Sequence, residues 1–152
     1  MTRPQARFRS PDPFPTTQLA VPNLARLVWH LRDESIDHSV TIVHAKHDGE
    51  GELALSIAAA RIARRGVKVA GPEPSTVFDL LEFGMRVGAK VVFCGELRRA
   101  EDGRALRAAA KMGVKVVGIV TNERFAEAQT IVKALGPWDH CHLEFFSIAS
   151  GI

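Results

Sequence analysis

The stretch richest in chemical potential is His44-Ala45-Lys46-His47-Asp48-Gly49-Glu50-Gly51-Glu52-Leu53-Ala54. It follows a β-branched run, Ser39-Val40-Thr41-Ile42-Val43, and leads into an Ala-rich segment of helical composition. A strand that turns directly into a helix leaves unpaired amides and the positive end of the helix dipole at the corner, a place that suits an anion or an electron-rich ligand. Gly49 and Gly51 let a flat or bulky group approach the backbone closely. Neither phosphate fingerprint is met, however. The position three beyond Gly51 is Ala54 rather than glycine, and no G-K-[ST] follows. Glu50 and Glu52 also put negative charge where a phosphate would sit. His44, His47 and Asp48 carry metal-capable atoms. A closed zinc site needs four converging ligands, and only a remote group, Cys94 or the run His140-Cys141-His142, would complete the set. The simpler alternative packs His44 at the strand end and leaves His47 in water, so no metal site is assigned.

Catalytic constellations are poor. There is no G-x-S-x-G elbow, no carboxylate pair placed by spacing on one face, and no base identifiable for Cys94. No catalytic residue is assigned. Arg98 and Arg99 follow the same strand as Cys94 and could take a carboxylate or phosphate, although exposed arginines beside a helix are usually only solvated.

The elements that must position these residues can be read from apolar patterning. The chain has 152 residues, 46% of them hydrophobic, enough for one core. Residues 1–22 hold prolines at 4, 11, 13, 15 and 22 with Arg3, Arg7 and Arg9, and read as an extended basic leader. Residues 23–152 read as a single domain. Asn23 is the expected cap of a first helix with Leu24, Leu27, Val28 and Leu31 as its apolar stripe and Trp29 and His30 packing beside it. Strands are then expected at 38–45, 67–71, 89–95, 114–120 and 142–148. Helices are expected at 51–66, with Leu53, Ile57, Ala60 and Ile62 inward, at 74–88 with Ser75 as cap, at 101–113 and at 122–136. Strands of continuous Val and Ile separated by helices mean a parallel sheet covered on both faces. The fold class is therefore α/β: an open, doubly wound parallel sheet of four to five strands, flavodoxin-like or Rossmann-like, preceded by an extra N-terminal helix. Such sheets bind ligands beyond the carboxyl ends of their strands, which selects the loops at 44–51, 71–74, 95–100 and 121–124.

The order of a D-G-E loop, an Ala-rich helix ending R-R-G, V-K-V-A-G-P-E-P-S, a helix ending V-G-A-K, and V-V-F-C-G-E-L resembles the cobalamin (vitamin B12)-binding domain of methylmalonyl-CoA mutase, methionine synthase and related sensors. The resemblance covers roughly residues 39–121. It implies a site at the same rim, made of His44, His47, Asp48, Gly49, Glu50, Gly51, Gly71, Gly95, Leu97 and Thr121, for cobalamin or another tetrapyrrole. The family's cobalt-ligating histidine corresponds to Glu50 and its serine to Gly95. Of its Gly-Gly only Gly118 stands here, while Asp48 and Leu97 are retained. A carboxylate is a poor substitute for an imidazole on cobalt.

Three functions follow as expectations. The first is a cobalamin-binding-like sensor or regulatory module that binds a small ligand or tetrapyrrole, a protein partner, or both. The second is a cofactor-free interaction or assembly module that docks its partner through the leader and first helix. The third is an enzyme acting on a nucleotide or phosphometabolite. The net charge of +3 is spread among interspersed acids and bases, which argues against a nucleic-acid partner. No apolar run reaches the roughly 20 residues of a membrane span, and the N-terminus has no signal-peptide stretch, so a cytoplasmic location is expected. Self-association is compatible with all three.

Overall fold

The computed structural model describes residues 21–33, 39–139 and 141–148. The first twenty residues of the expected leader, and His140, lie outside the described residues. Along the chain the elements are α1 (Val21–Arg32), β1 (Ser39–Ala45), α2 (Glu50–Ala63), β2 (Val69–Ala70), α3 (Val77–Val87), β3 (Val91–Glu96), α4 (Ala100–Lys111), β4 (Lys115–Thr121), α5 (Phe125–Ala134) and β5 (His142–Ser147). The five strands form one parallel sheet in the order β2-β3-β4-β1-β5. This is the doubly wound, Rossmann-like α/β architecture expected from the sequence, with the extra helix in front.

Alternation along the strands builds two cores. On one face Val43, Val91, Phe93, Val117 and Ile119 pack with Leu27 and Leu31 of α1 and Leu55 and Ile62 of α2. On the other, Ile42, Val92, Val116 and Val120 pack with Leu80 of α3, Leu106 of α4 and Val132 of α5. The interior strand β1 is buried throughout, as a strand covered on both faces must be. The edges are unequal: β2 has two residues and β5 has six.

Several local expectations are corrected. Helix α1 begins at Val21, ahead of Asn23, whose side-chain amide instead donates to the Ser147 carbonyl at 2.6 Å and ties α1 to the end of β5. The cap of α3 is Thr76, accepting from the Asp79 amide at 3.0 Å, not Ser75. Helix α2 buries Gly51, Ala54, Leu55, Ala58, Ala59 and Ile62. Its inward stripe is thus rotated from the expected one: Leu53 and Ile57 are half-buried and Ala60 faces water. Small alanines win the inner positions because they let the helix lie close on the sheet. Trp29 is 70% exposed, so it is not a packing residue.

The far end of α1 is held by the sheet. Lys115 Nζ donates to the Leu31 carbonyl at 2.9 Å and to the Asp33 carbonyl at 2.6 Å. A cation on the last carbonyls of a helix satisfies them and complements the dipole. Replacing Lys115 by Met should cost about 2 kcal/mol, the range for hydrogen bonds to a charged group. Urea unfolding of the variant measures it, and a loss below about 0.5 kcal/mol, ordinary for a surface change, would remove this role.

Candidate functional site

All four helices that follow strands begin at the carboxyl rim of the sheet, so their amide-rich starts converge there. What those starts bind decides the chemistry of the rim. At α2, Gly49 is the N-cap in a left-handed conformation (φ 88°). Glu50 folds back, and its Oε1 accepts from the Lys46 amide at 3.1 Å and the His47 amide at 2.9 Å. The loop amides that lead into the helix are therefore taken by the chain's own carboxylate. At α4, Asp102 Oδ2 accepts from the amides of Arg98 (2.7 Å) and Arg99 (3.0 Å). At α3 the Thr76 hydroxyl takes the Asp79 amide, and ahead of α5 Asn122 Oδ1 takes the Arg124 amide at 2.8 Å. Side-chain acceptors thus take an amide of the first turn at α3 and amides at or ahead of the cap at α2, α4 and α5.

The reversal of strand order falls between β1 and β4, whose following helices leave to opposite faces. A doubly wound sheet places its ligand crevice at that point. Here it is bridged. The Asn122 amide donates to the Ala45 carbonyl at 3.0 Å. His44, 1% exposed, lies with Nε2 2.8 Å from the Asn122 carbonyl and Nδ1 2.9 Å from Ser147 Oγ. A carbonyl only accepts, so in the neutral ring Nε2 donates and Nδ1 accepts from the serine. Phe125 covers the imidazole edge-on at 5.4 Å and stacks on Phe145 at 5.2 Å. Neither ring nitrogen of His44 is left for a ligand.

The remaining expected residues divide. His47, Asp48 and Gly49 are exposed at the tip of the first loop. Gly51 is a packing residue: a Cβ there would stand 2.5 Å from Cγ2 of Ile119. Gly71 (φ 75°) has the same character, because a Cβ would strike the Phe93 carbonyl. Leu97 is buried over Gly118, and its amide donates to the Ile119 carbonyl at 2.8 Å. Thr121 is held by Glu96, whose carboxylate accepts from its amide at 3.0 Å and its hydroxyl at 2.6 Å.

Gly95 alone among the ten lines a hollow, of about 450 Å³, between the start of α2 (Glu52, Ser56), the turn Pro72–Ser75 and the end of β3 (Cys94, Glu96, Arg98). A register shift between Phe93 and Gly95 turns the end of β3 toward it. Three of its walls are acidic, Glu52, Glu73 and Glu96, with Arg98 as the cation. His47, Asp48 and Gly71 do not line it. The residues missed in the sequence are the acceptors Glu96, Asp102, Thr76 and Asn122. For Asp102 a readable signal existed, the acidic residue three positions after the helix cap Arg99.

Cys94 is 2% exposed, and burial, reinforced by the Asp102 carboxylate, pushes its thiol up to about 12. A thiol so held is no nucleophile at neutral pH. Neither a protein-family model nor a curated protein matches the chain.

Two outcomes are expected. In the native protein an alkylating reagent at mildly alkaline pH should label the half-buried Cys141 and spare Cys94 until denaturant is added; equal native rates would contradict the burial argument. Gly51→Ala should cost about 1–3 kcal/mol as overpacking. Combined with Ile119→Ala in a double-mutant cycle, the two losses should be clearly less than additive. Strict additivity would mean that Gly51 serves something other than this contact.

Proposed function

We propose that this chain is a cofactor-free protein-interaction module that docks an acidic partner on its α1–α2 face. The observation that carries the reading is the first loop, whose amides are taken by its own carboxylate. Where a phosphate-binding turn offers loop amides and a lysine to its anion, this loop offers its amides to Glu50, and Gly51 stands at the next position against Ile119. A phosphate would have to displace a carboxylate tethered to the same helix turn and then sit beside its charge. A corrin or haem would find His44 committed on both nitrogens.

The partner face is suggested by a groove of about 570 Å³ between α1 and the end of α2, lined by Ala25, Val28, Trp29, Arg32, Arg61, Arg64 and Arg65. Its charged groups are all arginines. Guanidinium pairs bidentately with carboxylates and is weakly hydrated, and tryptophan is the most frequent anchor of an interface together with arginine. Arg32 already lies 5.5 Å from the Trp29 ring. A second reading, a small-ligand sensor of the cobalamin-binding type, is favoured by the hollow beside Gly95.

One titration separates them. The purified chain is mixed in turn with hydroxocobalamin, haemin, magnesium-ATP and a glutamate-rich peptide, followed by visible absorption and tryptophan fluorescence. The expected result is a saturable, salt-sensitive fluorescence change with the peptide alone, reduced at least tenfold in affinity in Arg61→Glu/Arg65→Glu. A saturable shift of the corrin or haem bands, or stabilisation by magnesium-ATP, would replace this reading with the corresponding ligand.

A further inference from the structure

On the opposite margin of the molecule from the hollow, α1 packs over the edge strand β5. His30 from the last turn of α1 meets His142 and Glu144, which are two residues apart on β5 and so share one face of the strand. The ligand atoms of these three side chains all lie within 4.8 Å of one another. His142 Nε2 is 3.3 Å from Glu144 Oε1. The two imidazoles lie roughly parallel, 26° apart in plane, with centroids 5.8 Å apart.

A separate observation concerns His30. Its Nε2 is buried and has no hydrogen-bond partner. An imidazole nitrogen removed from water without a partner costs free energy, and native structures rarely leave one so.

We propose that His30, His142 and Glu144 bind a divalent transition-metal ion of the zinc class. Two imidazoles and a carboxylate are a donor set for Zn²⁺ or Co²⁺ rather than for calcium or magnesium, which take oxygen ligands. Tetrahedral bonds of about 2.1 Å place neighbouring donors about 3.4 Å apart. The His142–Glu144 separation already meets this, and the remaining distances, within 4.8 Å, would have to shorten on binding. Three protein ligands leave one position open to water, and His30 and Glu144 line a hollow of about 490 Å³ together with Arg26 and Asp33. Bound metal would pin α1 to β5, where Asn23 already ties the other end of the helix to Ser147. The inference is independent of the partner proposed above.

The test uses the full chain stripped with a chelator and titrated with Co²⁺, read by visible ligand-field absorption, and with Zn²⁺, read by calorimetry and melting temperature. One ion per chain, a cobalt band and a raised melting temperature are expected. His142→Ala and Glu144→Gln, on an exposed edge where folding is little at risk, should each weaken binding at least tenfold, and His30→Ala should abolish the cobalt band. His47→Ala and Cys141→Ser should leave binding unchanged. Absence of saturable binding in the unaltered chain, or binding lost in His47→Ala or Cys141→Ser but kept in His142→Ala, would overturn the assignment.

Discussion

A parallel sheet gathers the starts of its helices at one end, and every such start brings amides that need acceptors. In this chain that demand governs the rim. Glu50 and Asp102 turn back onto main-chain N–H groups ahead of their helices, while Thr76 and Asn122 accept from N–H groups two or three residues further on. Hydrogen bonds to an ionised acceptor are worth roughly twice neutral ones. The rim is therefore stable without a guest, whereas a rim built for a phosphate leaves its amides waiting for one. Exchange of a diffusible acceptor for a tethered one removes the entropic cost of capture and, with it, the reason to bind.

His44 extends the same logic into the sheet. The ends of β4, β1 and β5 are joined through one imidazole, and the aromatic pair Phe125 and Phe145 keeps water from it. Glu96 does the equivalent between β3 and β4 by gripping Thr121. The shift in register near Cys94 is what allows Glu96 to reach across while Leu97 drops over Gly118. Packing and polar satisfaction thus coincide at the rim.

The architecture was legible because apolar runs of Val and Ile mark buried parallel strands whatever their order, and Ala-rich stretches with Gly66, Gly88 and Gly113 mark the helices between them. Strand order was not, since nothing local tells β1 that it will sit between β4 and β5. Caps failed by one residue at Ser75 because two adjacent hydroxyls both suit the position. Asn23 failed because the helix starts two residues earlier, at Val21, and its side-chain NH2 is spent on the remote Ser147 carbonyl. For the candidate site, composition correctly placed carboxylates at the corner but could not reveal that Glu50 would turn toward its own loop. The meeting of His30 with His142 and Glu144 was invisible for the same reason: it depends on α1 lying over β5, a relation made by tertiary packing alone.

The inequality of the two sheet margins has a mechanical meaning. With only Val69 and Ala70 in strand geometry, the β2 side gives a passing peptide almost no ladder to extend, which is one way natural sheets discourage sticking together. The β5 side keeps a run of six residues, so any strand added from outside would align along His142–Ser147. Among the described residues growth of the sheet is in this sense one-directional, and the residue that begins this border, His142, is also one of those that face α1.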